Sequence, residues 1–355
     1  MKIDKNHKKI IDILIKELKT NYKTILKKVS DETKIKEKWL ELELKDAIFA
    51  LEYLPRQFER IIKEEKIDVP KYKKEGFIGY IPKGRILQIL PSSTPILSNV
   101  LLPFCASLSG NSVIVKPSSK TQYMGRFIQK IFNKNRYKSI VFKNGSGKNF
   151  LYSLMKNIDF VFYMGSKKIG KEVELFCCKN DIEFLGEFEG NDWAIVFGGD
   201  TKNISDQIVS NIQFKDGKDC DSIKGVLVKK ELYSRMKSDL KEKLSDILNE
   251  NPSKEEILNP DFCSSLWIKD ISTIDEAIEL TKLNEHGLSI AIFDKNRKRA
   301  LNIARRLNFA RIIINSDTLD INPLIPWGGI KKTSSGGVEY WIKKFLNKKL
   351  IEIKK

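Results

Sequence analysis

Apolar residues recur at helical spacing through the first 70 or so residues of the chain, with charged residues between them. The two clearest sets are Ile10, Ile11, Leu14 and Leu18, and Ala47, Leu51, Leu54 and Phe58. Steps of three and four residues place such side chains on one face of a helix. The pattern predicts a helical entry segment over residues 1–78 that packs on the domain after it.

From Gly79 onward, short β-rich runs alternate with apolar-periodic stretches. The predicted strands are Arg85–Leu90, Ser112–Lys116, Ser139–Phe142 and Asp159–Tyr163, and the predicted helices are Ile96–Leu108, Tyr123–Phe132 and Phe150–Met155. Strand and helix in alternation predict an α/β fold with a parallel sheet covered by helices. Right-handed crossovers place the strand-end loops along one edge, where a dinucleotide would bind.

A second alternating block predicts a second α/β lobe. Its strands are Ala194–Phe197, Gly225–Val228, Ser265–Ile268, Ser289–Phe293 and Arg311–Asn315, and its helices are Glu231–Leu248, Ile274–Leu283 and Lys298–Leu307. We therefore expect a dinucleotide-binding domain over residues 79–189 and a catalytic domain over residues 190–330. Residues 331–355 are predicted to form a helix and an edge strand, and a free edge strand is expected to pair subunits of a homodimer.

Composition narrows the possible functions of this 355-residue chain, which carries a net charge of +18. The basic residues are spread over the chain as singles and pairs, so no nucleic-acid partner is expected. The sequence contains no run of about 18 apolar residues that would predict a membrane span. The start of the chain also lacks the apolar core of a signal peptide, so a cytoplasmic location is expected. The five scattered cysteines and two histidines lack the spacing of a metal site or a disulfide framework.

Cys220 and Glu187 are the candidate catalytic residues. Cys220 ends a glycine-containing stretch, Phe214–Cys220, and Glu187 lies between two glycines in Gly186–Gly190. A cysteine can capture a substrate covalently, and a carboxylate can activate the water that releases it. The alternative interpretation is that Cys220 is a buried apolar residue and Glu187 a surface charge. Their positions beside the predicted lobe boundary, near Gly190, favour the catalytic interpretation.

Motifs in a fixed order resemble those of the aldehyde dehydrogenase superfamily from about Gly79 to the end of the chain. They are Pro91–Pro95, Ser109–Ser118, Met164–Ser166 with Gly170, Glu187, Cys220, Glu255–Pro260, His286–Leu288, Asn315 and Pro326–Lys332. The resemblance implies two α/β lobes, each with a mainly parallel sheet, and a Rossmann-type cofactor lobe. It also implies oxidation of an aldehyde with NAD or NADP as cofactor.

In this family the cysteine forms a thiohemiacetal and then a thioester, so the resemblance implies that Cys220 is the nucleophile and Glu187 the base for deacylation. Thiolate chemistry leads us to expect a lowered pKa for Cys220. Where most members have an oxyanion-binding asparagine, this chain has Ser93 or Thr94. The candidate oxyanion donors are therefore that hydroxyl and the Cys220 backbone N–H.

The resemblance also implies a set of cofactor-binding residues. Gly165 and Ser166 stand at a strand-to-helix turn where a pyrophosphate would lie. Lys116 resembles the lysine that binds the adenosine ribose. Ser119 occupies the place of a ribose-binding acid, which makes NADP an alternative to NAD. Glu256 resembles the ligand of the nicotinamide ribose, although Leu258 stands where the family has an aromatic residue.

Three functions remain open at the level of sequence. Glu187 favours an aldehyde dehydrogenase. The Pro91–Pro95 loop, the short catalytic lobe and the basic charge favour an acyl-CoA reductase, whose substrate is an acyl thioester. The altered oxyanion loop favours a catalytically silent scaffold member.

Overall fold

The computed structural model describes residues 3–258, 265–321, 325–333 and 336–354. Cys263, which the sequence predicts at the start of a strand, lies outside these residues. Within them, no helix combines the length and the apolar character that crossing a membrane would require.

Helices and strands alternate along most of the chain. In the amino-terminal half they are α1 (Lys5–Thr20), α2 (Tyr22–Thr33), α3 (Glu37–Ile61), β1 (Glu65–Val69), β2 (Lys74–Pro82), β3 (Arg85–Ile89), α4 (Leu97–Ser107), β4 (Ser112–Lys116), α5 (Gln122–Lys134), β5 (Ile140–Phe142), α6 (Lys148–Leu154), β6 (Phe160–Met164), α7 (Lys167–Lys179) and β7 (Glu183–Glu187). They continue as β8 (Asp192–Val196), α8 (Thr201–Gln213), β9 (Ile223–Lys229), α9 (Lys230–Leu244), β10 (Leu248–Asn249), α10 (Lys254–Leu258), β11 (Leu266–Ile271), α11 (Ile274–Lys282), β12 (Ser289–Phe293), α12 (Arg297–Arg306), β13 (Arg311–Ile314), α13 (Val338–Lys344) and β14 (Leu346–Lys354).

The first compact unit comprises Met1–Glu187, Pro323–Pro326 and Gly336–Lys355. Its parallel sheet has the strand order β5-β4-β3-β6-β7. The chain leaves β3 in one direction to form β4 and β5, and then returns to add β6 and β7 on the other side of β3. This reversal creates a crevice at the carboxyl ends of β3 and β6, the place where open α/β sheets bind ligands.

A second, antiparallel sheet in this unit has the order β1-β2-β14. Strand β14 pairs with β2 along its whole length, from Leu346 opposite Pro82 to Lys354 opposite Lys74. After Leu346, every residue of β14 is exposed, as is every residue of β1. The described edges of this sheet are therefore open to solvent in a single chain.

The second compact unit comprises Phe188–Asn322 and Trp327–Ser335. Its sheet is parallel, with the order β10-β11-β9-β8-β12-β13. In the core, Trp193 of β8 meets Trp267 of β11 edge to face, with 4.8 Å between ring centroids. Gly225 of β9 leaves room for Trp267, since a Cβ there would lie 1.9 Å from the ring.

The predicted α/β class with two mainly parallel sheets is confirmed. The strands that were predicted from β-rich runs form within a few residues of the expected bounds. The first 78 residues contain strand β1 and the start of β2 in addition to the expected helices. Strand β7, which ends at Glu187, was not predicted.

Glu43 joins the helical segment to the loop that follows β3. It lies in α3 with only 6% of its surface exposed, and its Oε1 accepts hydrogen bonds from the backbone N–H groups of Ile96 (2.7 Å) and Leu97 (2.9 Å). These N–H groups open α4, whose own residues cannot satisfy them. A buried carboxylate at a helix amino terminus is further stabilised by the helix dipole.

We expect Glu43→Ala to lower the free energy of unfolding by about 2 kcal/mol, because two buried N–H groups lose a charged acceptor. Urea denaturation of the variant and the wild type measures the difference. Glu41→Ala is the matched control, since Glu41 is a half-buried residue of the same helix that pairs with Lys45 near the surface. Equal stabilities of the two variants would contradict the capping role of Glu43.

Candidate active site

The loop that carries Cys220 has an unusual backbone. After α8, three consecutive residues adopt left-handed angles: Lys215 (φ 49°), Asp216 (φ 56°) and Gly217 (φ 67°). Left-handed angles are uncommon for residues other than glycine and cost conformational energy. The turn is followed by Cys220, whose side chain is half-buried, and then by β9. Backbone strain of this kind is common in loops that hold a reactive side chain.

Gly190 determines how closely the loop can approach the start of β8. A Cβ on Gly190 would lie 2.1 Å from the carbonyl oxygen of Cys220 and 3.0 Å from its carbonyl carbon. Both atoms belong to the backbone, so they could not move aside as a flexible side chain could. The glycine is therefore required for the observed position of Cys220.

Two carboxylates flank the Cys220 sulfur. The thiol lies within hydrogen-bonding distance of Asp221 Oδ2 (3.4 Å), and Asp219 Oδ1 is 3.7 Å away. Each carboxylate has a buried cationic partner, with 2.8 Å between Arg311 and Asp221 and 3.3 Å between Lys215 and Asp219. The sulfur thus lies between two buried ion pairs.

The expectation of a lowered pKa for Cys220 is wrong. Burial, together with the negative charges of Asp221, Asp219 and Asp192, raises the pKa of the Cys220 thiol well above its ordinary value. A thiolate here would add another negative charge to a cluster that already holds several. In this conformation the neutral form of the thiol is therefore favoured.

Asp192 adds a further buried carboxyl group to the same unit. It opens β8 with no exposed surface, its Oδ1 accepts the backbone N–H of Ser289 at 3.0 Å, and its Oδ2 has no hydrogen-bond partner among the described residues. Burial and the charge of Asp221 raise the pKa of Asp192. A carboxyl group in these surroundings favours its neutral form.

Glu187 lies at the end of β7 with 1% of its surface exposed. The indole Nε1–H of Trp341, in α13, donates a hydrogen bond to its Oε1 at 2.6 Å. The backbone carbonyl of Glu187 accepts the N–H of Gly165 at 3.1 Å. The carboxylate is therefore buried, held by a donor from the carboxyl-terminal helix, and next to the predicted pyrophosphate turn in the first unit.

The loop after β3 carries Ser93, the predicted oxyanion donor, with a half-buried side chain. Thr94, the alternative donor, uses its carbonyl to accept bonds from the N–H and hydroxyl of Ser98. With Glu43 bound to the N–H groups of Ile96 and Leu97, the loop is anchored on the side that faces α3. The role of Ser93 toward an oxyanion stays a prediction.

The predicted pyrophosphate and ribose residues gather at the crevice of the first sheet. Lys116 ends β4, beside β3, and burial lowers the pKa of its ammonium group. Gly165 follows β6 with a φ of 155°, and the exposed Ser166 is the N-cap of α7 without making a side-chain capping bond. The first turn of α7 contains no acidic residue, so its N–H groups suit an anion.

Ser119 and Glu256 have different surroundings. Ser119 is exposed, three residues beyond Lys116. Glu256 is exposed in the second unit, where its carboxylate accepts the backbone N–H of Ser253 at 2.7 Å and the side-chain amide of Asn249 at 3.1 Å. The Ser253 hydroxyl accepts the N–H of Glu256 in return, so the pair forms a capping box at α10. A role in cofactor binding stays a prediction for both residues.

Sequence reasoning missed the partners of Cys220 and of Glu187. Asp221 and Asp219 adjoin the cysteine, and their charge was a readable signal against a lowered thiol pKa. Arg311 and Trp341 are distant in sequence from Cys220 and Glu187 respectively, and neither stood in a motif that we used. Only the fold reveals these contacts.

Comparisons with known proteins agree with this fold and motif order. The sequence profile of the aldehyde dehydrogenase family matches residues 5–261 and 257–351. Lactaldehyde dehydrogenase from Methanococcus maripaludis is 22% identical over 338 residues, which cover 77% of this chain and 72% of that enzyme. NADP-dependent glyceraldehyde-3-phosphate dehydrogenase from Streptococcus equinus is 22% identical over 349 residues, which cover 79% of this chain and 71% of that enzyme.

Among solved structures, an NAD-dependent aldehyde dehydrogenase from Sinorhizobium meliloti superposes with a TM-score of 0.90 at 17% identity. The superposition covers 100% of this chain and 83% of that one. At this identity the structural likeness supports only the fold. The match to the sequence profile covers nearly the whole chain and supports the family. The family expected from the motifs is confirmed: the chain belongs to the aldehyde dehydrogenase family of NAD(P)-dependent oxidoreductases.

Proposed function

We propose that this protein oxidises an aldehyde to a carboxylic acid through a covalent adduct on Cys220. The observation that carries the proposal is the position of the Cys220 sulfur. It is half-buried, it ends a strained loop, and it is flanked by buried ion pairs at the family's motif position. An ordinary buried cysteine requires none of these features.

In the proposed reaction, the Cys220 sulfur adds to the aldehyde carbon to form a thiohemiacetal. The hydroxyl of Ser93 and the backbone N–H of Cys220 are the proposed donors to the oxygen that becomes negative. Oxidation of the adduct leaves a thioester. Glu187 then takes a proton from the water that hydrolyses the thioester, and Trp341 orients the Glu187 carboxylate for this step.

NAD or NADP, when bound, would supply the acceptor for the hydride that leaves the adduct. We assign the phosphate and ribose contacts to Lys116, Gly165 and Ser166 in the crevice of the first sheet, because an unfilled helix amino terminus and a buried cation there suit an anionic dinucleotide. Ser119 is assigned to the adenosine ribose or its 2′-phosphate. Glu256 is assigned to the nicotinamide ribose, for which it would have to leave its cap on α10.

We also propose that two copies of the chain associate through the β1-β2-β14 sheet. Strand β14 exposes Leu350, Ile351 and Ile353, each with 45–56% of its surface accessible, and β1 exposes Ile67 and Val69. Open strand edges with apolar side chains are sites of pairing between chains. A cytoplasmic location is proposed as well, and the free thiols of Cys105, Cys177, Cys178 and Cys220 agree with it.

The protein is expected to reduce NAD⁺ or NADP⁺ when mixed with an aldehyde, and Cys220→Ala is expected to abolish this turnover while cofactor binding persists. Absorbance of the reduced nicotinamide measures turnover, and titration calorimetry measures binding. Cys178→Ala is the matched control, because Cys178 is an exposed cysteine at the end of α7.

Wild-type rates in Cys220→Ala would exclude the covalent route. A second mixture with an acyl-CoA and NAD(P)H tests the reductive alternative, and activity in that mixture alone would reverse the proposed direction. Inactivity in both mixtures over a broad range of substrates would favour a scaffold role.

Glu187→Gln is expected to slow thioester hydrolysis about a hundredfold while the first turnover stays near the wild-type rate, because the amide cannot take a proton from water. Glutamine keeps an oxygen that can accept the Trp341 N–H, so the fold should persist. Rapid mixing should show a burst of reduced nicotinamide followed by a slow steady state. Equal slowing of the burst and the steady state would contradict the assignment of Glu187 to deacylation.

Replacing Ile351 and Ile353 together by lysine is expected to convert the dimer to a monomer, because charges would enter the proposed apolar contact. Light scattering measures the mass. Glu352→Lys, at the residue between them, is the control for a change of charge on the same strand. A monomeric mass for the wild type would contradict the proposed association.

A further inference from the structure

The raised pKa of Cys220 leaves the proposed function with an unanswered question, which is how a neutral thiol attacks an aldehyde. The proton must leave the sulfur as the carbon–sulfur bond forms, and a base has to lie within hydrogen-bonding distance to receive it. Glu187 is assigned to the later step on water. The contacts of the second unit contain an acceptor beside the thiol.

One oxygen of Asp221 is fully engaged in holding the carboxylate. Its Oδ1 accepts bonds from the Arg311 guanidinium at 2.8 Å and from the Ser289 hydroxyl at 2.9 Å. Arg311 is held in turn by the backbone carbonyls of Thr318 and Asp320, each at 3.2 Å. These contacts fix the plane of the carboxylate.

The other oxygen of Asp221 is directed at the sulfur. The Cys220 thiol donates to Asp221 Oδ2 at 3.4 Å. Asp219 Oδ1 is farther, at 3.7 Å, and it also accepts the backbone N–H of Asp221 at 3.4 Å, while its second oxygen pairs with Lys215. Of the two neighbours, Asp221 therefore has the nearer and less occupied oxygen.

We propose that Asp221 is the catalytic base that takes the thiol proton when Cys220 attacks the aldehyde. This inference rests on the proposed function. In the step, the S–H bond breaks and its proton moves to Asp221 Oδ2. The electron pair left on sulfur forms the bond to the carbonyl carbon, and the C=O π pair moves to the oxygen. The products are a thiohemiacetal oxyanion and a neutral Asp221 carboxyl group, so atoms and charge balance.

The surrounding charges suit this transfer. The groups that face the thiol and Asp221 are Asp192 from β8, Asp219 from the loop, which is paired with Lys215, and Arg311 from β13. Burial raises the pKa of the Asp221 carboxyl, with Arg311 opposing the shift. A carboxylate with a raised pKa is a stronger base, so it accepts the proton of a thiol more readily.

Asp221→Asn tests the proposal, because asparagine keeps an oxygen for Arg311 and Ser289 but cannot take a proton. With propanal and NAD⁺ or NADP⁺, the burst rate at neutral pH is expected to fall about a hundredfold or more. The loss should shrink as pH rises, because the thiol then ionises without help. The thiolate absorbance, taken as the difference from Cys220→Ser, should appear at lower pH in Asp221→Asn than in the wild type, since a negative charge has been removed.

Asp219→Asn is the matched comparison, because it removes an equal charge on the other side of the sulfur. A base role for Asp221 predicts a loss of burst rate at least about tenfold smaller in Asp219→Asn. Equal losses in the two variants would reduce Asp221 to an electrostatic neighbour and overturn the proposal.

The wild type provides a test that does not depend on whether Asp221→Asn folds. If Asp221 is the base, the burst rate reaches its plateau at a pH well below the midpoint of thiolate absorbance. Coincidence of the two pH profiles would mean that the thiolate must form first, and would overturn the proposal. Activity in Cys220→Ala would instead overturn the proposed function itself, so the two failures are distinguishable.

Discussion

The buried ion pair between Arg311 and Asp221 is the interaction on which the candidate site depends. Both side chains have less than a tenth of their surface exposed, so each charge would be costly without the other. The pair links β13 to the loop before β9, and Ser289 of β12 completes it. Through this contact, strands that are far apart in sequence determine where the cysteine lies and how its neighbouring carboxylate is turned.

The two units fix the positions of their loops by different contacts. In the first, a buried glutamate from a helix closes the amino terminus of α4 and anchors the loop after β3. In the second, two glycines allow contacts that a Cβ would prevent. Gly225 packs against the indole ring of Trp267, and Gly190 packs against the backbone carbonyl of Cys220. Each arrangement restricts the movement of a loop that carries a candidate site residue, as preorganised chemistry requires.

Much of the fold could be predicted because buried parallel strands have continuous apolar runs. Residues 289–293 are of this kind. Residues 311–314 form a partly buried edge strand in which three isoleucines follow Arg311, and both strands were expected. Strand β7 was missed because Glu183–Glu187 mixes charged, aromatic and glycine residues, although it pairs with β6 as an edge strand. Likewise, β1 is exposed along its length, and its two apolar residues, Ile67 and Val69, are too few to predict a strand. Cys220 and Glu187 could be selected as candidates from motif order, and the charges of Asp219 and Asp221 could be read beside the cysteine. The burial of the thiol and the contribution of Asp192, which is distant in sequence, could not be read, so the raised pKa of the thiol was missed.

The carboxylates around Cys220 also bear on the chemical durability of the protein. Peroxides and other oxidants attack a thiolate far faster than a thiol, and the first product, a sulfenic acid, opens the way to irreversible damage. A sulfur that keeps its proton while idle is a poor target for them. Negative charge that keeps the Cys220 thiol protonated therefore protects this side chain from oxidation while no substrate is bound.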